Sequence, residues 1–222
     1  MEYMRIEDQF PRLNNCAVTL GKFDGIHRGH RKLMDKILER KKETGVHAVV
    51  LAFVSDRKTV LTNSERRDFL EHMGADILLE CPLTSDIRHM KADTFVRQVL
   101  AGSLKASYVA IGEDFRFGFE RKGTPEFLKK SGVKYGFEVE ILPKEMDGSR
   151  KISSTYIREE LAKGNMEKVS SLLGFDYFVS GIVEHGRGMG RREFFPTANL
   201  IPLPEKLLPP NGVYITLSSF GQ

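Results

Sequence analysis

The chain reads Ala17-Val-Thr-Leu-Gly-Lys-Phe-Asp-Gly-Ile-His-Arg-Gly-His30 at the point where an apolar strand pattern passes into a helical one. Residues 17–20 have the apolar character of a short strand, and the apolar residues of 31–43 recur at the spacing of one helix face. A loop between such a strand and helix lies where open α/β sheets bind ligands. The stretch therefore predicts a strand, a loop and a helix, with a ligand site in the loop.

Strand patterns continue to alternate with helix patterns as far as residue 142. Residues 48–53 form the continuous apolar run expected of a strand that is buried on both faces of a parallel sheet. Further strands are predicted at 76–79, 108–111 and 137–142, and helices at 62–73, 94–100 and 126–130. This alternation predicts an α/β fold built on a Rossmann-like, doubly wound, mostly parallel sheet.

The pattern changes towards the C-terminus. The elements predicted after residue 142 are a polar turn at 146–151, helices at 155–163 and 166–173, and strands at 177–184 and 212–217. The last two strands are separated by loops rich in glycine and proline, which is typical of an all-β unit. Residues 177–222 are too few for an independent barrel. We therefore expect an α/β domain at 1–175, followed at 176–222 by the incomplete start of an all-β barrel domain.

Composition and charge argue against several classes of protein. The 222 residues are 41% hydrophobic and 29% charged, which is typical of a globular protein. No apolar run approaches the roughly 18 residues of a membrane span, and the acidic N-terminus lacks a signal-peptide pattern. Cys16 and Cys81 are isolated, which predicts neither a disulfide framework nor a zinc ribbon. The net charge is +4, and most of the basic residues are interleaved with acidic residues. We expect a cytoplasmic protein that binds neither membranes nor nucleic acid.

Two histidines make the loop after the first strand the strongest candidate site. His27 and His30 are three residues apart near a predicted helix start, where unpaired N–H groups and the helix dipole favour phosphate. Imidazoles in that position can donate hydrogen bonds to phosphate oxygens whose charge grows in a transition state. Gly21, Gly25 and Gly29 are expected to adopt positive φ angles and to let the backbone approach a ligand. A metal-binding pair or a chance pair of histidines is the alternative.

The second candidate site is Ile152-Ser-Ser-Thr-Tyr-Ile-Arg158. Ser153, Ser154 and Thr155 fall at a predicted helix start, where hydroxyl groups ordinarily cap unpaired N–H groups. With Arg158 about one turn further on, these groups can also form a second phosphate site. Two phosphate sites without an evident covalent nucleophile predict phosphate-group transfer by positioning and charge stabilisation.

The third candidate site is Gly112-Glu-Asp-Phe-Arg-Phe-Gly118, which follows a predicted strand. Phe115 and Phe117 alternate as core residues often do, but their place in a loop at the end of a strand argues against the core. The pattern predicts that these aromatic residues line a site for a planar ring, with Asp114 and Arg116 as polar contacts.

These blocks resemble the motifs of one enzyme family. Gly21 to His30 resembles the GxFDGxHxGH signature of bacterial FAD synthetases, which belong to the HxGH nucleotidyltransferase superfamily. Gly112 to Gly118 resembles their GxDFRFG block, and Ile152 to Arg158 their ISSTxIR block. Residues 185–200 and 208–214 are similar to the HGxxxGRxxGxPTANL and LPxxGVY stretches of the riboflavin kinase domain in bifunctional riboflavin kinase/FAD synthetases. The resemblance covers nearly the whole chain.

The resemblance implies transfer of AMP from ATP to FMN, with Mg²⁺, giving FAD and pyrophosphate. His27 and His30 are then expected to stabilise the transition state at the α-phosphate, and the Asp114 to Gly118 loop to lie at the nucleotide–flavin site. The residues expected to bind ATP and its phosphates are Gly21, Phe23, Asp24, Gly25, Ser153, Ser154, Thr155 and Arg158.

The resemblance also implies a kinase site in the second domain. Gly186, Gly190 and Arg191 fall in its phosphate-covering loop, and Thr197 and Asn199 match its ATP–Mg²⁺ positions. Because the family's catalytic glutamate and the rest of its barrel lie beyond Gln222, we expect riboflavin kinase activity to be absent. The expected small-molecule partners are therefore ATP and FMN, and riboflavin is a further one only if the kinase domain is active. The sequence leaves the oligomeric state open.

Two alternatives to FAD synthesis remain at this point. A related nucleotidyltransferase with another phosphorylated acceptor, such as a cytidylyltransferase or a phosphopantetheine adenylyltransferase, shares the histidine motif. A non-catalytic module that binds flavin or nucleotide is the other alternative.

Overall fold

A six-stranded parallel sheet forms the centre of the protein in a computed structural model, which describes residues 1–54, 57–184 and 198–219. Its strands are β1 (Glu2–Arg5), β2 (Cys16–Gly21), β3 (His47–Val54), β4 (Ile77–Pro82), β5 (Ala106–Gly112) and β6 (Glu138–Leu142). They lie in the order β1-β4-β3-β2-β5-β6, and every neighbouring pair is parallel. The predicted doubly wound sheet is confirmed.

Helices cover both faces of the sheet. They are α1 (Arg28–Thr44), α2 (Asn63–His72), α3 (Ser85–His89), α4 (Ala92–Thr94), α5 (Pro125–Tyr135), α6 (Ser154–Ala162) and α7 (Met166–Leu173), and α4 continues as a π-helical stretch, Phe95–Ser103. Along β3, Ala48 and Val50 pack with α1 and α2, whereas Val49 and Leu51 pack with the π-helical stretch and α5. Side chains of a strand alternate between faces, so a strand that is covered on both faces has the continuous apolar run predicted for it.

Helix α1 begins three residues earlier than predicted. Its first residue is Arg28, so His27 is the N-cap and Gly29 and His30 lie in the first turn. Periodicity detects only the apolar stripe, which starts at Leu33 and Met34, whereas the polar first turn carries no such pattern. The difference matters because it brings both histidines to the helix N-terminus.

The edge strand β1 was not predicted from the sequence. The Tyr3 hydroxyl donates a hydrogen bond of 2.8 Å to Glu80 Oε2 on β4, and the Arg66 guanidinium from α2 donates to Glu80 Oε1. Glu80 is fully buried and Arg66 is 2% exposed. Buried charges need such partners, so this cluster holds β1 and α2 to β4.

The C-terminal part departs most from prediction. Strands β9 (Gly181–Glu184) and β10 (Asn199–Pro202) form a two-stranded antiparallel sheet, and the predicted polar turn is the hairpin β7 (Met146–Asp147) and β8 (Arg150–Lys151). The strand predicted at 212–217 is wrong. A strand needs a hydrogen-bonded neighbour, and within the described ranges no segment pairs with these residues, whose Val213, Ile215 and Leu217 are fully exposed.

No helix among the described residues is long and apolar enough to cross a membrane.

The buried Arg66–Glu80 pair gives a prediction about stability. Arg66→Met should lower the free energy of unfolding by about 3 kcal/mol or more, because it removes the main counter-ion of a buried carboxylate. Lys122→Met is the control, since Lys122 and Glu120 form an exposed pair whose loss should cost less than about 1 kcal/mol. Urea unfolding measures both variants, and equal losses would contradict the prediction.

Candidate active site

The candidate site lies at the carboxyl ends of β2 and β5. These two strands are neighbours, but the chain leads from β2 to β3 and β4 on one side and from β5 to β6 on the other. Loops after strands that diverge in this way leave a crevice between them, where open α/β sheets bind ligands. The loop after β2 carries the histidine motif and the loop after β5 carries Asp114 to Gly118, as the sequence predicted.

The two histidines stack against each other at the start of α1. The ring centroids of His27 and His30 are 3.8 Å apart, and the planes are inclined by 24°. The centroid of the Phe23 ring lies 4.8 Å from that of the His30 ring. A Cβ atom on Gly29 would lie 3.2 Å from His27 Cε1, so a residue larger than glycine would displace the His27 ring. The third glycine of the motif therefore makes room for the stacked pair.

The expected positive φ angles are found at Gly25 but not at Gly21 or Gly29. Gly25 has φ 90°, whereas Gly21 ends β2 and Gly29 is helical. Two larger residues of the loop, Phe23 and Ile26, have φ 48° and 43°. Such angles cost free energy in residues with a Cβ atom, and both side chains are fully buried. Packing of Phe23 and Ile26 in the core thus fixes a strained loop.

Asp24 joins the histidine loop to the second predicted site. Its Oδ2 accepts hydrogen bonds from Arg158 Nε at 3.0 Å and Nη2 at 2.6 Å, and its Oδ1 accepts one of 2.8 Å from the Val60 N–H. The Ser154 hydroxyl donates to the Asp24 carbonyl at 2.8 Å. The structure therefore brings the start of α6 beside the loop that leads into α1.

The second block caps its helix, as hydroxyl groups at a helix start ordinarily do, and it also forms an ion pair with the histidine loop. Ser153 caps α6, because its hydroxyl accepts a hydrogen bond of 3.3 Å from the Tyr156 N–H, and Thr155 is exposed in the first turn. Arg158 forms an ion pair with Asp24 and also donates to the Lys58 carbonyl at 2.5 Å. The pairing of Arg158 with Asp24 was not predicted, since the two residues are 134 positions apart.

Burial keeps the two imidazoles neutral. It lowers the pKa of His27 to about 4, although the carboxylates of Asp24 and Asp114 act in the opposite direction. Burial and the neighbouring His27 ring hold the pKa of His30 well below its usual range. Among the described residues, neither Nδ1 atom has a hydrogen-bond partner, though both are buried. Buried polar atoms are nearly always paired, so these two nitrogen atoms are exceptions within the described part of the chain.

A cavity of about 500 Å³ adjoins the histidine loop at the carboxyl ends of β2, β3 and β5. Its lining consists of aromatic, aliphatic and charged residues: Gly21, Lys22, Phe53, Leu83, Ile87, Arg88, Met90, Phe95, Asp114, Phe115, Arg116, Phe117, Gly118, Glu120 and Arg121. Sequence reasoning found the residues from Asp114 to Gly118 and missed Lys22, Arg88 and Arg121. Only Lys22, inside the histidine motif, carried a signal that could have identified it.

The expectation that Phe115 and Phe117 lie outside the core is wrong for Phe117. Its side chain is 6% exposed and packs with Phe95 and Phe127, although it also lines the cavity. The reason is the turn at Gly118, which has φ 71° and where a Cβ atom would lie 2.7 Å from the Ala92 backbone. This close approach folds the loop onto α4. The rings of Phe115 and Phe117 are stacked with centroids 5.6 Å apart.

The kinase residues predicted in the second domain are only partly described. Gly186, Gly190, Arg191 and Thr197 lie outside the described residues. Asn199 is exposed at the start of β10, where it pairs with Glu184 of β9.

Comparison with known proteins agrees with the motifs. The FAD synthetase family model matches residues 9–156, and the riboflavin kinase family model matches residues 173–222. The bifunctional riboflavin kinase/FMN adenylyltransferase of Escherichia coli K12 is 34% identical over 209 residues, which cover 90% of this chain and 66% of that protein. This chain thus spans just under two thirds of that relative's length.

Two further proteins are similar over most of the chain. The Pseudomonas fluorescens protein of the same description is 34% identical over 215 residues, covering 92% of this chain and 68% of its own. A crystal structure from Streptococcus pneumoniae, described as a macrolide-efflux protein, superposes with a TM-score of 0.85 at 29% identity, covering 96% of this chain and 73% of that one. The FAD synthetase family model matches two thirds of the residues of this chain. The chain therefore belongs to the FAD synthetase family.

Proposed function

We propose that the protein transfers AMP from ATP to FMN and so forms FAD and pyrophosphate. The observation that carries this proposal is the stacked His27–His30 pair at the N-terminus of α1, beside an aromatic cavity. The family of the chain supports it independently. A helix start that favours phosphate, next to a partly apolar cavity with aromatic residues in its lining, suits a reaction that joins a nucleotide to a flavin phosphate.

The proposed chemistry is a displacement at the α-phosphorus of ATP. An oxygen of the FMN phosphate forms a bond to that phosphorus, and the bond from the phosphorus to the oxygen bridging to the β-phosphate breaks, so pyrophosphate leaves. Negative charge grows on the oxygen atoms around the α-phosphorus. Neutral imidazoles can donate their N–H groups to these atoms, and the N–H groups of the first turn of α1 add their dipoles.

The start of α6 is proposed to bind the rest of the triphosphate. Ser153, Ser154 and Thr155 occupy its N-cap and first turn, and Arg158 contributes a positive charge one turn later. Because Asp24 holds the Arg158 guanidinium, the charge is fixed in position before ATP binds. A fixed donor loses less conformational entropy on binding than a mobile surface arginine does.

The cavity is proposed to bind FMN. The Phe115 ring and the aliphatic residues of the wall can contact the planar flavin. The cavity also has Lys22, Arg88 and Arg121 in its lining, and these cations suit the FMN phosphate. The aromatic wall and the cations together favour FMN over acceptors without a large planar ring, such as phosphopantetheine.

Mg²⁺ is proposed to enter with ATP. Within the described ranges, no group of three or more His, Cys, Asp or Glu side chains is arranged to hold a metal ion. Mg²⁺ in nucleotide sites commonly uses one or two carboxylates together with substrate phosphates and water. Asp114, half-exposed at the cavity and acting electrostatically on His27, fits as such a carboxylate. The ion supplies neutralisation of the triphosphate charge.

The second domain is proposed to begin near residue 176, which agrees with the two family matches that end at 156 and begin at 173. The absence of riboflavin kinase activity stays a prediction.

A product assay tests the proposed function. The protein is incubated with ATP and Mg²⁺, with FMN in one tube and riboflavin in another, and flavin products are separated by chromatography. We expect FAD from FMN and no product from riboflavin. FMN or FAD formed from riboflavin would contradict the prediction about the kinase. FMN that binds without release of pyrophosphate would instead support a non-catalytic flavin module.

His30→Ala should lower kcat about 100-fold or more while the Kd for ATP changes little. The reason is that the proposed hydrogen bond from the His30 imidazole to the α-phosphate oxygen atoms strengthens in the transition state. His72→Ala is the control, since His72 is an exposed histidine at the end of α2. Steady-state kinetics and ATP titration separate the two effects, and an unchanged kcat would remove His30 from the proposed mechanism.

The His27 imidazole should titrate near pH 4 in the protein without substrate, and ATP should raise this pKa because the triphosphate favours the imidazolium. The unfolded chain takes up this proton near pH 6.5. Stability should therefore fall as the pH drops from about 6.5 towards 4, where the unfolded chain binds more protons. NMR titration of the imidazole C–H signals, assigned with His27→Gln, measures the pKa, and a value near 6.5 would contradict it.

A further inference from the structure

A lysine from the C-terminal part of the chain is buried in the α/β domain. Lys206 lies outside the FAD synthetase match and inside the riboflavin kinase match, and only 1% of its surface is exposed. Lysine is almost never fully buried unless its charge is paired. The position of Lys206 therefore calls for an explanation in terms of the groups around it.

The Lys206 ammonium meets two oxygen atoms of the α/β domain. Its Nζ donates to Glu65 Oε2 at 2.6 Å and to the Val60 carbonyl at 2.8 Å. The rings of Tyr177 and Phe178 lie 4.6 and 5.1 Å from Nζ and cover it with their π faces. The ammonium is thus bound by a carboxylate, a carbonyl and two aromatic rings.

Backbone hydrogen bonds fix the same contact. The Thr59 N–H donates to the Glu205 carbonyl at 2.7 Å, and the Leu207 N–H donates to the Thr59 carbonyl at 2.8 Å. These bonds form a short parallel bridge between Thr59 and Lys206. Residues 205–207 are therefore held by backbone hydrogen bonds to Thr59, in the loop before α2.

Glu65 anchors this contact in the α/β domain. Its Oε2 accepts the Thr62 N–H at 2.8 Å in the capping box of α2. Its Oε1 accepts the backbone N–H and the hydroxyl of Ser180, at 3.0 and 2.6 Å. With Lys206, four donors hold one carboxylate, so the start of α2 is tied to the C-terminal segment at two places.

The loop that Lys206 holds is also the loop that supports the candidate active site. Val60 donates its N–H to Asp24 Oδ1 and accepts Lys206 Nζ at its carbonyl. Two residues earlier, the Lys58 carbonyl accepts Arg158 Nη2. Residues 58–60 therefore connect Lys206 to both members of the Asp24–Arg158 pair.

We propose that Lys206 is a positioning residue for the adenylyltransferase site, and that residues 205–207 complete this site by holding residues 58–60 against Asp24 and Arg158. The kinetic test of this inference rests on the proposed function, because it measures the formation of FAD. A measurement of ATP binding tests the inference without that assumption. It assigns to the C-terminal segment a part in ATP binding by the first domain. The expected effect is on ATP rather than on FMN, because Asp24 and Arg158 lie on the α6 side of the site.

The test compares Lys206→Met with the unchanged chain. Loss of the ammonium should weaken ATP binding, measured by calorimetry, and lower kcat/KM for ATP about 10- to 100-fold, because small displacements of positioned groups have effects of this size. The KM for FMN should stay within about twofold. Lys163→Met is the matched control, since it removes a lysine whose side chain is exposed and whose partner, Glu160, keeps the Asn165 side chain as a hydrogen-bond donor.

Further variants separate positioning from general loss of structure. Lys206→Gln keeps a donor for the Val60 carbonyl and should recover part of the ATP affinity; it also serves where Lys206→Met does not fold. Partial unfolding would lower kcat/KM for ATP and kcat/KM for FMN by the same factor, and this result without a selective change for ATP would overturn the proposal. ATP affinity that is unchanged in folded Lys206→Met or Lys206→Gln would overturn it as well. If the unchanged chain binds ATP but makes no FAD, the proposed function fails and the ATP titration still decides the role of Lys206.

Discussion

The Asp24 carboxylate holds together three segments on which the candidate site depends. One oxygen binds the guanidinium of Arg158 on α6, and the other binds the Val60 N–H in the loop before α2. Charge-assisted hydrogen bonds are strong where water is excluded, and Asp24 is only 9% exposed. Without this carboxylate, Arg158 and the loop before α2 would lose their common attachment to the loop after β2.

Among the described residues, the loop after β2 and the first turn of α1 bury polar atoms without hydrogen-bond partners, which folded proteins ordinarily avoid. The two stacked imidazoles are neutral because they are buried, and within the described part of the chain their Nδ1 atoms lack partners. Phe23 and Ile26 adopt positive φ angles in the same loop. Unpaired buried groups and backbone strain both cost stability, and they persist where the surrounding core fixes them and a ligand can use them.

The βαβ organisation followed from local patterns, because a buried strand and an amphipathic helix each leave a periodic signal. The predictions were wrong where this periodic signal is absent, or where residues outside a strand or helix carry the same signal. The first turn of α1 is polar, so its start was placed three residues late. Residues 212–217 have strand composition but no neighbour in the described structure. Phe117 was expected outside the core, whereas the turn at Gly118 folds it inward.

The sequence by itself determined the strand, the loop and the helix that carry His27 and His30, because these features depend on residues adjacent in the chain. It also placed hydroxyl groups at the start of α6. Only the tertiary structure decided that Arg158 pairs with Asp24, 134 residues away, and that Lys206 enters the α/β domain beside Glu65, 141 residues away. Such pairs of charged side chains form between whichever segments the fold brings together, and no local spacing in the sequence records that arrangement.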